Sequence, residues 1–201
     1  MSKYQDYNPH HSTAVSISSN TLFHITSRDN LLSILQTDFR PHYCGERFTM
    51  DNEVMLQLAI AMVSFCDLPL FLMRSHLEFY GDHGKFGIGL TKKWGMKKNI
   101  SPVLYLHEFS PLFRFRDRLV NEANQINGGI QKWRMELLDV SNNFTSFLKP
   151  YEGNPWRNGE FSKECKRFYN EREWRFVPKN HTPFSSETAT IPISSQLIKK
   201  L

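Results

Sequence analysis

Several things are scarce in this 201-residue chain, and each scarcity removes a class of protein. It has three cysteines, Cys44, Cys66 and Cys165, widely spaced and odd in number. No CxxC pair occurs, which argues against a structural zinc knot and against a disulfide framework. Reduced thiols are the expectation. The first twenty residues, MSKYQDYNPHHSTAVSISSN, contain no apolar block of the kind a signal peptide needs. No window approaches the roughly 18 consecutive apolar residues of a membrane helix. These features predict a cytoplasmic protein with no membrane partner. Neither GxGxxG nor a P-loop occurs, so a standard dinucleotide or triphosphate cradle is not expected.

What is present is a globular composition. Hydrophobic residues make up 40% and aromatic residues 13%, with 16 Phe among them. That content can fill a core and does not describe a disordered chain. The length suggests one domain, or one domain with an insertion. A net charge of +5 permits an acidic partner such as a nucleic acid without demanding one.

Residues 1–20 read as a polar arm and residues 21–201 as one domain. TLFHITS predicts a short strand, with Thr26 or Ser27 capping the helix that follows. In that helix Leu31, Ile34, Leu35 and Phe39 recur at helical spacing. AIAMVSFCDLP is a continuous apolar run, expected as a buried strand feeding a helix through Asp67 as N-cap and Pro69 in the first turn. That helix is expected to stop at Gly81. Short strands are expected over Phe86–Leu90 and within PVLYLHEF.

Residues 110–148 change character. Leu112, Phe115, Leu119, Ala123 and Ile126 lie at helical spacing, Gly128 and Gly129 interrupt, and helical periodicity resumes. This predicts a helical hairpin inserted between strands. Residues 149–163 read as a Pro/Gly/Asn-rich loop, Glu171–Pro178 as a strand, ATIPIS as a last strand and SQLIKKL as a terminal helix. Strands dispersed among helices without βα alternation predict an α+β fold with an antiparallel or split sheet.

The most informative stretch is FYNEREWRF, residues 168–176. In a strand, Glu171, Glu173 and Arg175 project from one face, with Trp174 and Phe176 on the other. A half-exposed strand with its charges in water is the plain reading. Carboxylates aimed into a cleft could instead hold a ribose hydroxyl and stabilise an oxocarbenium-like centre. His24, at the end of the first strand, is either a half-buried core histidine or a ribose contact. Glycines at 81, 84, 87 and 89 either shape a tight strand or let another group approach the backbone. Tyr80 and His83 stand beside them. Arg114, Arg116 and Arg118 read as a solvated helix side, with a basic contact for a partner as the alternative. Cys66 reads as a core thiol.

Taken in order, LFHITSRDNLLSILQTDFRPHYC, VSFCDLPL, HLEFYGDHGKFGIGLTKKWG, PVLYL and NEREWRF resemble the AbiGi family of bacterial abortive-infection, or phage-resistance, proteins. The resemblance runs over about residues 20–180. It implies the antitoxin role in a two-gene defence system whose other member is a nucleotidyltransferase-like toxin. The implied partner is that cognate toxin or a phage-derived factor. More distantly, the opening H-x-T followed by N-L-x-x-I-L is similar to the start of DarT-type DNA ADP-ribosyltransferases and of the RNA 2′-phosphotransferase group. This second resemblance implies an ADP-ribosyltransferase-like split antiparallel sheet with surrounding helices. It implies NAD as substrate, no metal, and a nucleic acid or protein as acceptor. By it, His24 and Thr26 hold the nicotinamide ribose, Arg40 faces the diphosphate, and Tyr80 or the Gly87–Gly89 strand supplies the middle contact. Glu173 stabilises the oxocarbenium and Glu171 polarises the acceptor. Leu90 and Thr91 stand where such proteins carry a further motif.

Overall fold

The computed structural model describes residues 18–50, 53–80, 85–125, 131–157, 159–178 and 184–185. The element order is β1 (Thr21–Thr26), α1 (Arg28–Gln36), β2 (His42–Met50), β3 (Glu53–Cys66), α2 (Leu70–Tyr80), β4 (Phe86–Thr91) and α3 (Lys92–Lys97). Then come β5 (Ser101–Pro102), β6 (Leu104–Leu106), α4 (Pro111–Gln125), α5 (Gln131–Ser146) and β7 (Leu148–Pro150). The chain continues through β8 (Trp156–Arg157), β9 (Glu160–Phe161), a 3-10 turn (Phe168–Glu171), β10 (Glu173–Phe176) and β11 (Phe184–Ser185). The fold is mixed α+β with antiparallel sheets, as the dispersed strands predict. The segments expected as a last strand and a terminal helix lie outside the described residues.

β3 organises the molecule. It is 14 residues long and pairs antiparallel with β1 and β10 at its C-terminal end and with β2 and β11 further back. Both of its faces are covered, which is why it reads as a continuous apolar run rather than an alternating one. Leu56, Leu58, Ile60 and Met62 point into a cluster with Phe48, Leu106 and Leu148. Val63 and Phe65 point the other way, into a cluster with Leu22 and Ile100 that Phe39, Trp94 and Trp174 border. Cys66 joins Leu68 and Met73 under α2, with Phe23 and Ile25 beside them.

Local signals decide several boundaries. Ser27 caps α1 by accepting from the Asn30 amide at 3.3 Å, so of the two candidate caps Ser27 acts. Asp67 is not the cap of α2. It accepts from Ser18 Oγ (2.8 Å), the Ser19 amide (2.9 Å) and Lys92 Nζ (2.6 Å), and so ties the start of the described chain to α3. The expected helical hairpin is present as α4 and α5. It is a crossover between two neighbouring strands, because β6 and β7 on either side of it pair in parallel, Leu104 with Leu148. Part of the stretch expected as loop is ordered: it holds most of β7 and the small β8–β9 hairpin. No helix among the described residues is long and apolar enough to cross a membrane.

Candidate functional site

Strand β10 is inside out relative to its plain reading. Glu173 and Arg175 share a face, as period-two geometry requires, but that face is the buried one: Arg175 is 0% exposed and Glu173 5%. Trp174 is half-buried on the opposite face. Glu171 is not in the strand. It ends the 3-10 turn, and Arg172 follows in the left-handed region (φ 48°, ψ 51°). That backbone reversal lets Glu171 and Glu173 converge although no strand connects them.

They converge on lysine. Lys149 Nζ, from β7, lies 2.6 Å from Glu173 Oε2, 3.1 Å from Glu171 Oε2 and 3.6 Å from Glu46 Oε1 of β2. Arg175 completes the cluster. Its Nε donates to Glu173 Oε1 at 2.6 Å, and Nη2 pairs with Glu46. Its Nη1 donates to the carbonyls of Ser146 (3.1 Å) and Leu148 (3.2 Å), so the guanidinium also ties the last residue of α5 to the first of β7. The Glu173 amide donates to the Tyr105 hydroxyl at 2.8 Å.

Three carboxylates and two cations, all at least nine-tenths buried, are thus held in one hydrogen-bonded group. Burial alone would raise the Glu173 carboxyl, but the Arg175 and Lys149 charges outweigh it and hold it down at about 2. Burial lowers the Lys149 ammonium less than the three carboxylates raise it, so it stays charged. Arg175 is likewise penalised by burial and held charged by Glu173 and Glu46. Glu46 goes the other way: burial pushes it up more than Lys149 and Arg175 pull it down. Burial also raises the thiols, Cys44 to about 11 and Cys66 to about 12, so both are protonated.

The cluster forms one wall of a cavity of about 250 Å³, which Phe23, Cys66, Trp156, Phe168 and His76 also line. A second cavity, about 440 Å³, lies against α2 and is lined by Leu68, Leu72, Ser75, Tyr169, Asn170 and Arg172. His76 and Glu171 line both. Among the described residues no set of three His, Cys, Asp or Glu side chains is arranged to hold a metal ion. The cation at the focus of these carboxylates is the chain's own lysine.

Residues 37–195 match the family model of the abortive phage resistance protein AbiGi, antitoxin. The chain belongs to the AbiGi family. It is also 32% identical over 158 residues to the "Abortive phage resistance protein AbiGi" of Lactococcus lactis subsp. cremoris, a match covering 70% of this chain and 61% of that protein. The chain thus corresponds to under two thirds of the length of that AbiGi relative. No solved structure matches it.

The AbiGi match contains all five cluster residues and leaves out β1. The remaining predicted residues do not gather around the carboxylates. Register aligns Phe23, Cys66 and Glu173 across three strands, which puts His24 on the opposite face from Glu173. There the His24 Nδ1 lies 2.8 Å from the Ser64 carbonyl, and the ring packs on Phe39 and Phe65. Burial lowers its basicity. An ADP-ribosyltransferase site would need His24 and Glu173 to meet in one cleft; here they lie on opposite faces of the sheet. Thr26 is buried at the end of β1, and Arg40 is exposed between α1 and β2. Tyr80 ends α2, and its side chain lies outside the described residues, as do Gly81, His83 and Gly84. Gly87 and Gly89 do admit a close approach, but by the chain itself. A Cβ at Gly87 would stand 2.9 Å from Ile25 Cδ1, and one at Gly89 3.0 Å from the Phe23 ring.

Sequence reasoning missed Glu46 and Lys149. Glu46 occupies an inward position between Cys44 and Phe48, where an apolar residue would have shown a strand. Lys149 sits in a Pro-rich stretch that reads as loop. No local pattern announces either; their partners lie far away in sequence.

Proposed function

We propose that this AbiGi-family chain acts as the restraining component of an abortive-infection pair, binding a cognate toxin through the α4–α5 hairpin. The observation that carries this reading is the hairpin's surface. Phe115 is 53% exposed, Trp133 63%, Met135 64% and Val140 56%, an amount of large apolar surface that favours a protein partner over water. Arg114 and Arg118 are exposed on α4, and Arg118 lies 3.9 Å from Glu122. They supply a basic margin that would steer an acidic partner surface. The family description, antitoxin, agrees with a role of this kind.

The test is co-expression with a cognate toxin. Trp133→Asp with Val140→Asp should abolish neutralisation while leaving the melting temperature within a few degrees, since both side chains are already in solvent. Charge reversal at Arg114 and Arg118 should weaken binding and reduce its salt dependence. Full neutralisation by a folded Trp133→Asp/Val140→Asp protein would refute the contact.

A second reading keeps the carboxylates as reactive groups: ADP-ribose transfer from NAD to a nucleic acid or protein, with Glu171 and Glu173 at the cavity. What favours it is that both carboxylates line an open volume. Against it stand the full engagement of Glu173 by Lys149 and Arg175 and the position of His24 behind the sheet. Calorimetry with NAD separates the readings. Glu173→Gln does not, because the change also removes a partner of two buried cations.

A further inference from the structure

We infer that the face of the sheet opposite the carboxylates binds single-stranded nucleic acid, with bases stacked on Trp174 and Phe176 and phosphates held by Arg40 and the lysines of α3. Period two sends Glu173 and Arg175 to one side of β10 and Trp174 and Phe176 to the other. Both rings are half-buried rather than sealed, and they lie on an interior strand, between β3 and β5. β5 is two residues long and exposed, so the sheet stays low on that flank. Trp174 and Phe176 stand about 6.6 Å apart along the strand. An unstacked strand can offer its bases at that interval, whereas the bases of a duplex are stacked and out of reach of a sheet surface.

Cations surround this platform. Gly95 is the residue of α3 that faces the sheet: a Cβ there would stand 2.8 Å from Leu22 Cδ1. At about 100° per residue, Lys93 and Lys97 therefore point away from the sheet into solvent. Lys98 follows at the C-terminus of the helix. Trp94 packs toward Phe39, with ring centroids 6.5 Å apart, and Arg40 comes next in the chain on that side. Lys92 Nζ lies 5.4 Å over the Trp174 ring, so α3 borders the platform directly. Arg40, Lys93, Lys97 and Lys98 are exposed and enter no ion pair among the described residues. Acids are few on this side. None occurs between Lys92 and Leu106; Asp67 is bound by Lys92, and Asp38 is the one acid in the connection from α1 to β2. Unpaired cations beside partly open aromatic rings suit a chain of phosphates that carries flat bases; an acidic protein surface would use the cations and leave the rings idle. The α4–α5 hairpin lies against the other side of the sheet, where Phe113 and Phe144 pack on the Leu58 and Ile60 cluster, so this surface is separate from the proposed toxin contact.

The full-length chain is titrated at low salt into a fluorescently labelled oligothymidylate about twelve nucleotides long, within the span one such surface covers, and binding is followed by anisotropy. Saturable binding is expected. It should weaken at least about tenfold when the same phosphate backbone carries no bases, because stacking on the rings is then lost, and by a similar factor with the matching duplex. Lys93→Gln/Lys97→Gln, with both side chains in solvent, should leave the melting curve unchanged. It should also make the slope of log affinity against log salt shallower by about 1.4, roughly 0.7 per cation. Photocrosslinking with iodouracil in place of thymine should mark Trp174 or Phe176 in the unaltered protein, which keeps this part of the test free of any folding defect. The inference fails if the oligonucleotide does not bind, or if the abasic chain, the duplex or polyglutamate binds as tightly. It fails equally if the lysine pair changes nothing, or if the crosslinks map away from β10. The hairpin variants Trp133→Asp and Val140→Asp should leave this binding unchanged, so the two proposals stand or fall separately.

Discussion

Replacing Arg175 by methionine removes a side chain that bonds β2, β7, β10 and the end of the helical hairpin at once. The guanidinium is fully buried and donates to Glu173, Glu46 and the carbonyls of Ser146 and Leu148. Methionine fills similar volume, so the packing loss is small. The electrostatic loss is not: two carboxylates and the carbonyls of Ser146 and Leu148 stay buried with Lys149 as the remaining cation. Breaking a buried ion pair from one side costs about 3–5 kcal/mol. Domains are stable by only about 5–15 kcal/mol, so this one change would remove a large share. In urea, with a slope near 2 kcal/mol per molar, the midpoint should fall by roughly 2 M. Adding Glu46→Leu to Arg175→Met removes one stranded carboxylate and should restore part of the loss. The cycle should show coupling of about 1–3 kcal/mol. A single-variant loss below about 1 kcal/mol, or strict additivity in the double variant, would refute the view that Arg175 is a buried charge held by its partners.

Acid should unfold the protein through Glu173. Its carboxyl is lowered from an ordinary 4.5 to about 2, so its contribution is full above 4.5 and disappears as pH falls toward 2. Glu46 is raised and opposes this trend. Melting followed from pH 6 to pH 2 should therefore show its steepest loss in that lower window, and Glu173→Gln should flatten it. Gly45→Ala should cost about 1–3 kcal/mol by overpacking, because the new Cβ would stand 2.6 Å from Trp156 Cδ2; an unchanged melting curve would mean the β8–β9 hairpin moves freely off β2. Trp174→Ala, on the half-buried face of β10, should cost roughly 2–4 kcal/mol, read by chemical denaturation, and a loss under about 1 kcal/mol would contradict its packing beside Phe65 and Ile100.

Where burial coincides with apolar chemistry, the fold was readable. β1, β4 and the apolar half of β3 follow from their runs of Leu, Ile, Val and Phe; the two hairpin helices follow from periodicity too, although the residues they bury are Ala123, Ser141, Thr145 and Ser146 while Phe115, Trp133 and Val140 face out. Where the inward positions are charged, the same reasoning inverts. β2 alternates Cys44, Glu46, Phe48 toward the interior, and the glutamate hides the strand. In β10 the period was right and the face was wrong: a local pattern cannot say that Lys149, 24 residues earlier than Glu173, and Glu46, still more distant, will neutralise the acids. The cavity is equally illegible, because its walls come from β1, β2, β3, α2, β7 and the 3-10 turn at once.

β3 has a kinetic consequence. It lies in the first third of the chain, yet β10, its neighbour at the C-terminal end, pairs Phe176 with Val63, and Arg175 meets Glu46 across a separation of 129 residues. During synthesis β3 emerges with β1 and β2 to pair with, and with one edge waiting for a strand made much later. Until then its apolar residues and the lone acid of β2 have no partners. Contacts this distant slow folding, and unpaired strand edges invite proteases and aggregation. A nascent or truncated chain lacking residues 173–176 should thus be short-lived, so a cell that halts translation would lose newly made copies before finished ones.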